Sequence, residues 1–221
     1  TDILISSRSF EQDYLEGFRC DPSVLREIPQ PRADVLCSSV ERERRKTEAR
    51  KKLGLSDSGK KVVVYAPTFR KDPMPESKKR VQDLVDAINH DEWAFVYSKH
   101  PVGGIECADP RIMESPIPTL DALFAADALI TDYSTVMYEA GLLGLPVFLY
   151  AYDWEDYKEK REDNIDLEHD VPTVFSGDPK VIARAVETGE GFSREAFQDF
   201  VSRNVRMPGR GTCCEAIIKL L

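Results

Sequence analysis

Residues 61–65 read Lys-Val-Val-Val-Tyr, a continuous apolar run with no polar alternation. A strand with one wet face alternates; an unbroken run belongs in a strand buried on both faces, as in a parallel sheet covered by helices. Similar runs follow at helix-sized intervals, Trp-Ala-Phe-Val-Tyr-Ser at 93–98, Ala-Leu-Ile-Thr at 128–131 and Pro-Val-Phe-Leu-Tyr at 146–150, with a shorter one at 173–175. Helical patterns occupy 77–89, 120–126, 134–143 and 153–161, and helices fill most of the remainder. Strands alternating with helices at this spacing predict an α/β fold with a Rossmann-like, doubly wound parallel sheet. Ligands of such sheets lie beyond the carboxyl ends of the strands, so the residues just after each run are the first candidates for a site.

The first sixty residues are organised differently. A short strand at 3–6, a helix at 9–18 and a strand at 24–28 are closed by Pro29-Gln30-Pro31, and a charged helix runs on to Lys52 before the loop at 54–59. This divides the chain into 1–37, the expected tail of a preceding Rossmann-like domain, a linker helix at 38–53, and a nucleotide-binding domain at 54–221. The strand-like start right behind Thr1 fits a chain taken from within a larger protein. The segment at 71–79 is polar and Pro-rich and is expected to form a mobile flap.

Thirty Lys and Arg against 39 Asp and Glu leave a net charge of -9, which argues against nucleic acid as the main partner. The exception is 41–52, with seven Lys/Arg and three Glu. Glu41/Arg45 and Glu48/Lys52 have the i, i+4 order of an exposed helix, and the segment reads first as a solvated linker and second as a contact for an anionic polymer or membrane face. The five cysteines form no Cys-x-x-Cys pair, and an odd count with Cys213 and Cys214 adjacent is a poor disulfide framework. A reducing, cytoplasmic setting is expected. No apolar run has the length of a membrane span, so membrane contact is expected to be peripheral. No carboxylate cluster demands a metal, and no cofactor is implied.

After the first long run comes Ala66-Pro67-Thr68-Phe69-Arg70, where Arg70 offers a fork of donors suited to phosphate. After the second comes Lys99-His100-Pro101; His100 is held between a strand end and a proline, able to donate to phosphate or carry a proton. His90 and His169 sit in polar turns and read as exposed. The third run leads into Asp132-Tyr133-Ser134-Thr135 and a helix whose first turn, with two hydroxyls, makes an anion site or a simple N-cap. Glu139 is one turn beyond Thr135 on the same face and can accept hydrogen bonds from ribose, while Asp132 is expected to hold local backbone.

These segments in this order, together with 28–36, 127–135, 145–150 and 153–157 and Arg161, resemble the CDP-glycerol glycerophosphotransferase family, which includes the polymerases and primases of teichoic acids and related capsules. The resemblance spans nearly the whole chain. It implies a GT-B arrangement of two Rossmann-like domains, of which this chain looks like the C-terminal, donor-binding one. It implies a transferase that moves glycerol phosphate or a related polyol phosphate from a CDP-polyol to a polymer or lipid-linked acceptor, at the inner face of the cell membrane. By the same resemblance Arg70, His100, Ser134 and Thr135 surround the pyrophosphate, Glu139 stands at the ribose, the backbone at Ile117 and Pro118 meets the cytosine, and Arg161 lies in the loop that reads the polyol. Thr135 stands where a second Ser is common, a mild change, and Glu162 and Thr173 stand where Gly is common, departures that fall on the loop contacts after Asp153 and so on polyol specificity. Two other readings stand beside it, a glycosyltransferase or epimerase using a UDP-sugar and a non-catalytic nucleotide-binding module.

Overall fold

The computed structural model describes residues 2–70, 76–100, 102–106, 108–160 and 165–221. The expected flap at 71–79 therefore lies largely outside the described residues. Strand β1 (Ile3–Ile5) is followed by helix α1 (Glu11–Phe18) and strand β2 (Leu25–Glu27). Helices α2 (Arg32–Cys37) and α3 (Ser39–Lys52) lead to β3 (Lys61–Tyr65), α4 (Ser77–Ala87), β4 (Trp93–Tyr97), β5 (Ile112–Glu114) and α5 (Thr119–Ala125). Then come β6 (Ala128–Thr131), α6 (Val136–Leu142), β7 (Val147–Tyr150), α7 (Trp154–Lys160), β8 (Phe175–Ser176), α8 (Pro179–Thr188), α9 (Arg194–Asn204) and α10 (Cys213–Ile218).

Two separate parallel sheets result. β1 pairs with β2, and the large sheet has the order β5-β4-β3-β6-β7-β8. Period-2 geometry sorts its side chains between two helical layers. Val62, Val64, Val96, Leu129, Val147 and Leu149 face the core under α3, α5, α6 and α9, whereas Val63, Tyr65, Phe95, Ile130, Phe148 and Tyr150 face α4 and α8. Both sets are buried, which is why these strands carry no polar alternation.

The segment before β3 packs onto the end of the chain. Asp34 on α2 caps α10, accepting from the N–H of Cys213 (2.7 Å) and of Cys214 (3.0 Å). Arg206 N–H donates to the Ser6 carbonyl at 2.8 Å. On α3 the expected pairs form, Arg45 with Glu41 (3.3 Å) and Lys52 with Glu48 (2.7 Å). Arg42 reaches the Leu142 carbonyl (2.6 Å), Arg45 also reaches Asp121 (3.2 Å), and Arg50 donates to the Leu55 and Lys60 carbonyls. Arg42, Arg45 and Arg50 are therefore tied to neighbouring segments and are not simply solvated.

Some boundaries differ from the sequence reading. The helix read at 77–89 stops at Ala87, and His90 is not in open solvent: it is half-buried with Nε2 2.8 Å from the Val85 carbonyl oxygen, at the helix end. His169 is exposed beside Asp166. The short strand β5 is not legible in the sequence because two half-buried residues and one exposed one give too little periodicity to stand out.

Candidate active site

The sheet order reverses between β3 and β6, with β4 and β5 to one side and β7 and β8 to the other. Connections leave such a switch point in opposite directions and open a crevice at the carboxyl ends. The segments leaving here are 66–70 and 131–135, and they are tied together. The Thr131 hydroxyl donates to the Ala66 carbonyl (2.6 Å). Asp132, wholly buried, accepts from the Thr68 N–H (2.8 Å), the Thr68 hydroxyl (2.7 Å) and the Tyr133 N–H (2.6 Å). Its carboxylate faces the loop backbone and not the crevice.

Arg70 lies at the centre of this knot. Its Nη1 donates to Asp132 (2.8 Å) and to the Thr68 carbonyl (2.8 Å), its Nη2 to Asp153 (2.8 Å), and its Nε also to Asp153. Asp153, at the end of β7, accepts a further hydrogen bond from the Tyr133 hydroxyl at 2.9 Å. Burial works against the guanidinium charge, but the Asp153 hydrogen bonds and the charge of Asp132 hold it well above the ordinary arginine range. Burial, reinforced by Asp153, likewise pushes the Tyr133 phenol far up. The sequence reading made Arg70 a free fork for phosphate. The fork is occupied instead: one cation sits between two carboxylates, so the group as it stands is no anion site.

His100 is on the rim, exposed, beyond the end of β4. Its ring stacks on Phe69 with centroids 5.4 Å apart, and its Nδ1 accepts the Val102 N–H at 3.2 Å. A neutral ring accepting at Nδ1 carries its proton on Nε2, so the free nitrogen is a donor. His100, Phe69, Arg70 and Thr68 line one 330 Å³ hollow with Tyr97 and Gly104. A Cβ on Gly104 would come within 2.6 Å of the Tyr97 hydroxyl, so only glycine lets the chain close over this hollow.

Ser134, Thr135 and Glu139 are elsewhere on the rim. The helix read at 134–143 begins only at Val136, and its first donors are engaged. Val136 N–H reaches Ser134 Oγ (3.4 Å), Met137 N–H the Ser134 carbonyl (3.2 Å) and Tyr138 N–H the Thr135 carbonyl (3.0 Å). Thr135, not Ser134, is the N-cap residue, and its side chain makes no capping hydrogen bond; the first-turn donors expected to be free for an anion are engaged. Thr135 is exposed and lines, with Glu139, a second cavity of 430 Å³ against residues 28–33. There Glu139 Oε1 lies 2.8 Å from Arg32 Nη2, and its Oε2 is buried without a hydrogen-bond partner. Burial raises the Glu139 carboxyl above its ordinary value, and the Arg32 charge partly offsets the rise. Ile117 borders a third hollow, of 320 Å³, beside Arg45 and Asp121, and Pro118 precedes α5. The Ile117 backbone is held at both ends by Ser115 Oγ, which donates to its carbonyl (2.7 Å) and accepts from its N–H (3.3 Å). Arg161 and Glu162 lie outside the described residues.

The structure thus brings Arg70 and His100 to one hollow, with Asp132 buried behind it, and Thr135 and Glu139 to another. Sequence reasoning missed Arg32, Phe69 and Asp153 as parts of it. Arg32 and Asp153 find their partners far along the chain, where no spacing rule reaches. Among the described residues no group of three acidic, His or Cys side chains is placed to hold a metal, and no helix is long and apolar enough to cross a membrane.

A switch-point crevice on a parallel sheet of this order, with helices on both faces, defines a Rossmann-like, doubly wound α/β unit. The chain belongs to the CDP-glycerol:poly(glycerophosphate) glycerophosphotransferase family, whose family model matches residues 1–208. The teichoic acid poly(glycerol phosphate) polymerase of Staphylococcus epidermidis is 31% identical over 202 residues, covering 84% of this chain and 28% of that protein. The chain thus spans under a third of the length of that curated relative. A structure of the wall teichoic acid polymerase TagF soaked with CDPG shares the fold, with a TM-score of 0.78 at 24% identity over 99% of this chain and 55% of that one. A UDP-N-acetylglucosamine 2-epimerase of Listeria monocytogenes is more distant, with a TM-score of 0.53 at 15% identity over 94% of this chain and 55% of that one.

Proposed function

We propose that this chain holds the CDP-polyol donor of a transferase that passes a polyol phosphate to a hydroxyl of a cell-surface polymer, with release of CMP. Family membership over nearly the whole chain is the observation that carries the reading, and the site supports it with a crevice at the switch point and polar groups on its rim. In the reaction the acceptor oxygen attacks the phosphorus that bears the polyol. The bond from that phosphorus to the CMP oxygen breaks, and the acceptor proton passes to a base. We assign His100 to the phosphates as a donor through Nε2, its ring held by Phe69 and the Val102 N–H. Thr135 and Glu139 line the cavity against residues 28–33, and the Ile117–Pro118 backbone is the candidate contact for the base.

Arg70 and Asp132 take a different part. They lock the two loops that carry the site and keep them in one geometry, which is worth much in a reaction driven by positioning. The domain division remains part of the reading. β1 and β2 pair with each other and with no strand of the large sheet, as expected if residues 1–37 complete another Rossmann-like unit. That unit, not 54–221, would supply the acceptor side and the base. The setting proposed is the cytoplasmic face of the membrane, with contact made by other regions.

The UDP-sugar reading differs in the base. Titrating CMP, UMP, CDP and UDP into the chain by calorimetry separates the two. Cytidine nucleotides are expected to bind tighter, and His100→Ala to weaken CDP by about 10-fold or more with cytidine little changed, the effect of one charge-assisted hydrogen bond. Tighter uridine binding would replace the first reading by the second, and no nucleotide binding at all would overturn all three readings.

A further inference from the structure

An arginine fork suits phosphate oxygens, but the arginine at the switch point is closed off between Asp132 and Asp153. The other rim arginine is in the opposite state. Arg32 enters the 430 Å³ cavity from the first turn of α2, with its side chain 49% exposed. Its one partner among the described residues is Glu139 Oε1, 2.8 Å from Nη2, which leaves Nε and Nη1 without acceptors. Glu139 is the reverse: 13% exposed, with one oxygen on Arg32 and the other enclosed by protein. A ligand entering the cavity therefore meets the cation of this pair and not the carboxylate. A single pairing oxygen also orients the guanidinium, since a planar fork fixed at one end keeps its other donors on a defined side. Thr135 and Gln30 add polar groups to a lining that is otherwise largely apolar. One exposed charge, its buried counter-ion behind it, in mostly apolar walls is the pattern of a site that anchors a charged group and encloses the rest.

We propose that Arg32, aimed by Glu139, is a phosphate-binding residue of this crevice. The inference deepens the donor-binding reading and rests on it only for the identity of the ligand. The phosphoryl oxygens have two sources, the diphosphate of the donor and the phosphate of the polyol chain. The arms of the test separate them.

The chain and two variants, Arg32→Lys and the double variant Arg32→Ala/Glu139→Gln, are titrated with CDP, cytidine and glycerol 3-phosphate. The double variant removes both charges together and so leaves no unpaired buried carboxylate to unfold the protein. It is expected to lose about 10-fold or more in affinity for a phosphate ligand, with cytidine within about 2-fold of wild type, while Arg32→Lys retains part of the affinity because charge without the fork still attracts phosphate. A loss for CDP alone assigns the donor diphosphate, and a loss for glycerol 3-phosphate alone assigns the polyol chain. Equal loss for CDP and cytidine, or no loss for either phosphate ligand, overturns the assignment. If wild type binds glycerol 3-phosphate in an Arg32-dependent way but not CDP, the donor reading fails and Arg32 stands. If wild type binds CDP and the double variant binds both phosphate ligands equally well, Arg32 fails and the donor reading stands.

Discussion

Arg70, Asp132 and Asp153 are three charged side chains almost out of water, with exposures of 12%, 1% and 6%. Removing one partner of such a group strands the others, at a cost of about 3–5 kcal/mol. For a protein of this size Arg70→Ala should therefore lower Tm by roughly 6–20 °C, read by thermal melting. A phosphate contact alone would have changed affinity and left Tm in place, so a near-unchanged Tm sinks the positioning role. Glu139 makes a prediction of opposite sign. Burial raises its carboxyl above 4.5, so the folded protein holds this proton more readily than the unfolded chain. Its contribution is then fully present below the unfolded value and is lost as pH rises through the folded one. Glu139→Gln removes that loss at the expense of a half-exposed ion pair, which contributes little. Its Tm should exceed that of wild type at pH 7.5 and match it near pH 4. A variant that melts lower than wild type at pH 7.5 would mean that the Arg32 pair outweighs burial.

α6 is the element on which the crevice depends most, because it carries Glu139 on one face and meets α9 on another. That second contact is close: a Cβ on Gly141 would run into the Val201 side chain and come within 3.2 Å of Phe197. Gly141→Ala should thus destabilise by about 1–3 kcal/mol as an overpacking change, although alanine favours helix over glycine by about 1 kcal/mol. Denaturant unfolding measures it, and a stabilised variant would show that propensity wins. The same scale explains what the sequence made legible. β3, β4, β6 and β7 were readable because burial on both faces leaves a local apolar run. The pairs on α3 were readable because i, i+4 contacts are set by helix geometry alone. The loops of the site were readable as well, since strand ends mark them. The chemistry within those loops was less so. That Arg70 is enclosed follows from Asp153, 83 residues away, and that Thr135 and not Ser134 is the N-cap residue of α6 follows from where the helix starts.

Over the whole molecule, the strands form two parallel sheets of unequal size. The six-stranded sheet carries the crevice, and the β1–β2 pair stands apart from it, joined through α2 and the caps on α10. If the crevice is the donor-holding half of a two-domain transferase, the parts divide in function as well. Binding belongs to 54–221 and Arg32, whereas acceptor positioning, worth up to about 7–11 kcal/mol of barrier, belongs to the unit that residues 1–37 complete. The most direct test is to titrate CDP-glycerol into this 221-residue chain with a poly(glycerol phosphate) acceptor present, and to follow CMP in the same samples. The account predicts saturable binding of CDP-glycerol and no repeated release of CMP. Failure to bind CDP-glycerol, or multiple turnover by this chain alone, would contradict it.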